Sequence, residues 1–101
     1  MSKMSVMGTF TCQEGRADEM EGVLGGMVDA ARDEPGVEIY SYHRGEGNRF
    51  WFFALMADEA SMEAHGRSEA MQQAMAGFGA LVDEPPQMST ARPVAALGLD
   101  L

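Results

Sequence analysis

Cysteine is nearly absent from this chain. Cys12 is the only one among 101 residues, which excludes a disulfide within the chain and a metal site built from cysteines. No basic residue adjoins Cys12 in the sequence to stabilise its thiolate. We therefore expect Cys12 to be a small, buried, apolar side chain on a strand.

Positive charge and long apolar runs are also scarce. Lys and Arg total 7 against 16 Asp and Glu, which leaves a net charge of −9, and the basic residues form no cluster. Nucleic-acid phosphates and anionic membranes would repel such a chain. No segment reaches the roughly 18 apolar residues that span a bilayer, and the first six residues do not form a secretory signal. The sequence predicts a cytoplasmic protein without nucleic-acid or membrane partners.

The rest of the composition is typical of a globular protein, with 46% hydrophobic and 23% charged residues. The length predicts one domain over residues 1–101, without internal repeats. Apolar spacing and turn residues predict the order strand, helix, strand, strand, helix, helix, strand. These elements are expected at 6–12, 16–33, 37–44, 48–56, 58–65, from 68 until shortly before the prolines at 85 and 86, and within 87–99. Pro93 restricts the last segment to an edge strand, a bulge or an arm reaching a partner.

This order is that of an α+β, ferredoxin-like split β-α-β fold, which hosts many functions and determines none. Every residue from 50 to 55 is apolar, so both faces of that strand must be buried. The chain's helices can cover one face, but an antiparallel sheet in so small a protein normally leaves the other to solvent. We expect a second copy of the chain to cover it, in a homodimer formed through the sheet face.

Glycine and methionine each allow two interpretations. Gly25 and Gly26 lie inside the first predicted helix, where each costs about 1 kcal/mol relative to alanine. They indicate either close packing against a neighbouring backbone or room for a ligand beside the helix. The ten methionines are interpreted as adaptable core filler, with a methionine-lined pocket for flat aromatic substrates as the alternative.

Two segments carry a family resemblance. They read EPGVEIYSYHR at 34–44 and FFALMADEASMEAHGRS at 52–68. The shared pattern is Glu-Pro-Gly, a tyrosine four residues on, a strand, a helix capped by Asp58, and then His65 followed by Ser68. Over nearly its whole length the chain resembles the antibiotic biosynthesis monooxygenase family and its quinol monooxygenase relatives.

The resemblance implies a dimeric α/β barrel of ferredoxin-like chains, with a cavity between sheet and helices. It also implies oxidation of a phenolic or quinol substrate by O2 without metal, flavin or haem. A substrate deprotonated to an electron-rich anion can itself reduce O2. The protein then has to supply only a base, an apolar pocket and a hydrogen bond for the developing charge.

His65 is the candidate base, because an imidazole exchanges a proton near neutral pH. The alternative role for a lone helical histidine is a structural hydrogen bond. The candidate substrate-binding residues are Tyr40, Tyr42, Asn48, Trp51, Phe53 and Arg67, and Arg44 is a further group able to orient a phenolate. The aromatic residues are also candidates for core or dimer contacts, and the arginines for solvated surface.

Two departures limit what the resemblance carries over. Many relatives have a glutamate near the end of the strand where this chain has Ala54 and Met56, so no role of that glutamate is transferred. In the haem-degrading branch, a tryptophan stands in place of His65 and a histidine ligand in place of Met75. Haem degradation is therefore disfavoured.

Three functions follow as hypotheses. The first is a cofactor-independent monooxygenase acting on a quinol or polycyclic phenol. The second is a non-catalytic dimer that binds an aromatic small molecule or serves a stress response, which the missing glutamate favours. The third is an isomerase, decarboxylase or cyclase in which His65 abstracts a proton and no O2 is consumed.

Overall fold

Strands and helices follow one another in the order that the sequence predicts. The computed structural model describes residues 3–99. Its elements are β1 Met4–Thr11, α1 Ala17–Ala31, β2 Val37–Arg44, β3 Arg49–Met56, α2 Glu59–Arg67, α3 Glu69–Leu81 and β4 Gln87–Ala91. The last strand ends before Pro93, which agrees with the expected restriction.

The four strands form one sheet in the order β2-β3-β1-β4, and every neighbouring pair is antiparallel. This confirms the ferredoxin-like arrangement. The strands β1 and β4 approach each other closely at Gly8, where a β-carbon would overlap the carbonyl oxygen of Gln87. Glycine at this position therefore allows the edge strand to pair.

The hydrophobic core lies between the sheet and the helices. From α1, the side chains of Met20, Leu24 and Met27 are almost fully buried, as expected for an amphipathic helix lying on a sheet. Phe10 projects from β1 among the rings of four other aromatic residues, namely Tyr42, Phe50, Phe52 and Phe78. Cys12 is 1% exposed, so the expectation of a buried cysteine is confirmed.

Side-chain caps begin α2 and α3, as the sequence predicts. The Asp58 carboxylate accepts a hydrogen bond from the Ser61 N–H at 2.8 Å. The Ser68 hydroxyl accepts one from the Met71 N–H at 3.2 Å. These caps satisfy N–H groups that the first helical turn leaves unpaired and place the junction of the two helices at Arg67 and Ser68.

The glycines of α1 do not pack closely against anything. A β-carbon on Gly25 or Gly26 would meet no atom of the described residues within 4 Å, and both positions are exposed. The expectation of close backbone packing is therefore wrong. The helix packs through Met20, Leu24 and Met27, whereas the two glycines turn away from the core.

The sheet face away from the helices, termed the open face, carries Met7, Trp51 and Phe53. Trp51 is 51% exposed and Met7 is 41% exposed. Met7 lies opposite Phe53 across the β1–β3 pair. Trp51, two residues before Phe53 on β3, points to the same face and lies opposite Thr9. In a single chain this second face of β3 is therefore exposed at Trp51, partly buried at Phe53 and buried at Leu55, which is 1% exposed. Within residues 3–99, no helix is long and apolar enough to cross a membrane.

Candidate functional site

A cavity of about 360 Å³ lies between the sheet and the helices. Every strand and every helix contributes to its wall. The residues lining it are Val6, Phe10, Met27, Tyr40, Tyr42, Phe52, Ala54, Met56, Met62, His65, Gly66, Met71, Met75, Phe78, Pro86, Met88 and Thr90. Its volume falls within the range of pockets that bind small organic ligands.

Methionines form a large part of the cavity wall. Six of the lining residues are methionines, namely Met27, Met56, Met62, Met71, Met75 and Met88. Met75 is 45% exposed and Met88 is 60% exposed, so these two lie at the rim, whereas Met71 is buried. Thioether side chains adapt their shape and make favourable contacts with aromatic rings. The wall therefore suits a flat apolar ligand.

Tyr40, Tyr42 and His65, termed the polar corner, lie together in this apolar wall. The hydroxyl oxygens of Tyr40 and Tyr42 are 2.6 Å apart, because alternate residues of β2 point to the same face of the sheet. The ring of Tyr40 meets that of His65 edge to face, with centroids 5.1 Å apart. Among the described residues that line the cavity, none is Asp, Glu, Lys or Arg.

The two tyrosines keep their protons. Burial raises the pKa of Tyr42 far above its ordinary value, and the neighbouring Tyr40 raises it further. Burial also raises the pKa of Tyr40, partly offset by the hydrogen bond with Tyr42. Both phenols are therefore neutral donors at neutral pH. One of the two hydroxyls donates its hydrogen to the other. The remaining O–H can donate to a ligand oxygen or, from Tyr40, to the Met71 sulfur at 3.9 Å.

His65 is held by a carboxylate that the sequence interpretation missed. Its Nδ1 lies 3.1 Å from Oε1 of Glu34, and the two side chains are only 15% and 16% exposed. The other carboxylate oxygen, Oε2, is buried and has no hydrogen-bond partner within residues 3–99. The contact occupies Nδ1 and leaves Nε2 as the ring nitrogen available to the cavity.

Of the predicted site residues, His65, Tyr40 and Tyr42 line the cavity, and the other four do not. Trp51 and Phe53 lie on the open face, because β3 directs alternate residues to opposite sides and Phe52 faces the core. In a single chain they are separated from the cavity by the sheet itself.

Asn48 and the two arginines are also outside the cavity. Asn48 lies in the β2–β3 hairpin, where its carbonyl accepts a hydrogen bond from the Cys12 N–H at 2.9 Å. The side chain of Arg67 is 76% exposed and pairs with Glu63 at 3.2 Å. Arg44 pairs with Asp18 at 2.8 Å, and so joins β2 to α1.

Glu34 had no distinguishing signal in the sequence beyond its place before Pro35 and Gly36. Its partner is 31 residues away, so only the tertiary structure brings the two together. Within residues 3–99, no group of three or more His, Cys, Asp or Glu side chains could hold a metal ion.

The apolar cavity with its polar corner, between the sheet and the helices of a ferredoxin-like α+β chain, is a candidate small-molecule site. The scaffold itself hosts many functions. A family model described as "Antibiotic biosynthesis monooxygenase" matches residues 4–77. The chain belongs to this family, and the matched segment contains the polar corner and Glu34.

Solved structures share the fold at low sequence identity. A candidate antibiotic biosynthesis monooxygenase from Chloroflexus aurantiacus is 19% identical with a TM-score of 0.84, over 98% of this chain and 100% of that chain. A protein of unknown function from Nitrosomonas europaea is 22% identical with a TM-score of 0.84, over 99% and 97%. A candidate monooxygenase of the same family from Caulobacter crescentus is 22% identical with a TM-score of 0.87, over 93% and 92%. No curated protein matches the chain.

Proposed function

We propose that this protein is a cofactor-independent monooxygenase that oxidises a quinol or polycyclic phenolic substrate with O2. The observation that carries the proposal is the polar corner, in which His65, Tyr40 and Tyr42 meet at one place in an otherwise apolar cavity. Membership of the antibiotic biosynthesis monooxygenase family supports it.

The substrate binds with its oxygen at the polar corner and its rings against the methionines. Nε2 of His65 removes a proton, and a tyrosine O–H donates a hydrogen bond to the oxygen on which negative charge develops. The carbanion-like carbon of the anion passes electrons to O2, and a C–O bond forms to give a peroxide. Cleavage of its O–O bond releases water.

The reaction balances with the substrate as the only reductant. When a CH2 group between two rings becomes C=O, or a quinol becomes a hydroxylated quinone, the substrate loses four electrons and O2 gains four. One oxygen atom enters the product and the other leaves as water, together with the proton that His65 held. No further co-reactant is required.

The cavity also favours uncharged substrates. Its lining offers no cation to pair with a carboxylate or sulfonate, and the chain carries a net charge of −9. Burying an unpaired anion in an apolar site is costly. We expect a neutral naphthol or anthrone to be bound more tightly than its carboxylated analogue of the same ring skeleton.

Oxygen uptake on a panel of hydroquinones, naphthols and anthrones, each neutral compound paired with a carboxylated analogue, tests the proposal. The expected result is uptake with the neutral compounds and products that gain one oxygen atom and lose two hydrogens. With ¹⁸O2 the label should appear in the product. Absence of uptake across the panel, alongside measurable binding, would contradict oxygenation and favour a binding protein.

A non-catalytic binding protein is the second candidate, and one observation favours it. Ala54 and Met56 both line the cavity, so β3 contributes no carboxylate where many relatives have one.

Product formation without loss of O2 would instead indicate an isomerase, decarboxylase or cyclase. The same panel therefore separates the three hypotheses.

We also propose that the active form is a homodimer joined through the open face. Support comes from the exposed Trp51 and Met7, which lie on the same face as Phe53. A charged substitution in such an apolar contact should separate the chains, because the charge would be buried without a partner. Light scattering should give a dimer mass for wild type and a monomer mass for Trp51→Lys. Met75→Lys, on the opposite side of the sheet, should remain dimeric, and a monomeric wild type would contradict the proposal.

A further inference from the structure

We propose that Glu34 is a positioning residue for His65. Its carboxylate accepts the hydrogen of Nδ1–H and so selects the tautomer in which Nε2 is unprotonated and able to take a proton from a molecule in the cavity. The contact itself is independent of the reaction, whereas its value for catalysis rests on the proposed function, in which His65 is the base.

The fold places Glu34 through the turn that follows α1. The Glu34 N–H donates to the carbonyl of Ala31 at 3.0 Å, and the Ala57 N–H donates to the carbonyl of Gly36 at 2.7 Å. Gly36 has a φ of +86°, a conformation that side chains with a β-carbon rarely adopt. The turn is therefore held at both ends, by α1 and by the residue that follows β3.

The same turn contacts α2 at two successive levels. The side chain of Ser61 fills the space beside Gly36, where a β-carbon would overlap its hydroxyl. His65 lies four residues after Ser61, on the same face of the helix, and meets Glu34 at 3.1 Å. The contact with Ser61 sets the distance of α2 from the turn, and this places the imidazole within reach of the carboxylate.

Burial distinguishes this pair from the surface ion pairs of the chain. Both side chains of the pair are about 15% exposed, whereas Arg67 and Glu63 are 76% and 56% exposed. The second oxygen of Glu34 is buried without a hydrogen-bond partner in the described part of the chain, which costs free energy. If the Glu34 carboxylate served only to attach the turn to α2, an exposed position would be more stable than a buried one, because water would form hydrogen bonds with both of its oxygens.

The geometry also limits how the imidazole can turn. Glu34 holds Nδ1, and the ring of Tyr40 packs edge to face with the imidazole. When Nε2 accepts a proton, the ring becomes a cation beside the carboxylate, which stabilises it. This is the role that the aspartate of a Ser-His-Asp triad has toward its histidine, although no serine nucleophile is involved here.

Nitrogen NMR of histidine-labelled protein tests the contact without any need for turnover. The chain has two histidines, so His43→Gln leaves His65 as the only signal. We expect neutral His65 to be in the Nδ1–H form in this background, and Glu34→Ala to shift it toward the Nε2–H form that free histidine prefers in water. Ser61→Ala is the matched control, because it removes the hydroxyl from the same contact but keeps the β-carbon beside Gly36, so the spacing of α2 from the turn and the tautomer should both be unchanged.

Kinetics then tests the catalytic value of the contact. Glu34→Ala, the variant in which the tautomer is measured, should lower kcat for the best substrate by about 10²-fold, within the range attributed to general acid–base groups, with KM little changed. His65 in the Nε2–H form in wild type, or a tautomer unaffected by Glu34→Ala, would overturn the proposal. A tautomer shift with unchanged kcat would uphold the orienting contact but remove His65 from the proposed reaction, which separates the failure of one from the failure of the other.

Discussion

Replacing His65 with alanine is expected to lower kcat/KM for oxygen uptake by about 10²- to 10⁴-fold, the usual contribution of a general base. The substitution removes the only imidazole in the described cavity wall, whereas Tyr40 and Tyr42 hold their protons. The substrate would then reach its anion only by losing a proton to water. Initial rates of O2 consumption measure the effect.

A matched histidine substitution separates the chemistry from general damage. His43 lies on β2 and bonds to Ser41 at 2.9 Å, outside the cavity lining. His43 also lies opposite Trp51 on the open face, so light scattering is used first to establish that His43→Gln has the same mass as wild type. With that mass unchanged, His43→Gln should retain wild-type turnover. Circular dichroism should show that His65→Ala is still folded, and ligand binding should persist in it. If a folded His65→Ala consumed O2 at the wild-type rate, His65 would not be the base.

Replacing Phe10 with alanine is expected to lower the free energy of unfolding by about 3–5 kcal/mol, the usual loss for deleting a buried phenylalanine ring. Phe10 is 3% exposed, and it contacts rings from β2, β3 and α3. Its removal would widen the ligand cavity, whose wall it also forms. Since small domains are stable by only about 5–15 kcal/mol, the loss is a large fraction of the total. Urea unfolding followed by circular dichroism measures it.

Phe10→Leu is the control for this prediction, because it keeps an apolar side chain in the same place and should cost clearly less than alanine. All variants are compared at one protein concentration, since association would add to the apparent stability. A loss below about 0.5 kcal/mol for Phe10→Ala, the size expected of a surface substitution, would show that the aromatic cluster does not stabilise the fold.

The local features of the chain were predictable, because local rules decide them. Asp58 and Ser68 cap the helices as expected, since a short polar side chain before an apolar helical stripe satisfies the first free N–H groups. The alternation of β2 places Tyr40 and Tyr42 on one face, which period-two geometry requires. His65 reaches the cavity wall, as the resemblance to the family implies.

Other features could not be read from the sequence, because they depend on what each element packs against. The sequence shows that Trp51 and Phe53 share a face, but not whether that face meets the helices or solvent. Phe50 and Phe52 would have suited either side equally well. Gly25 and Gly26 look like packing positions only until the neighbours of α1 are known, and a β-carbon there would meet open space.

The sequence by itself determined the order of the elements, the helix caps, the shared faces of the strands and the absence of a disulfide within the chain, because each depends on residues close together along the chain or on composition. Only the tertiary structure decided which sheet face covers the cavity, how the methionines gather around it, and that Glu34 meets His65. These are contacts between residues far apart in sequence, and they depend on how the turn after α1 packs against α2.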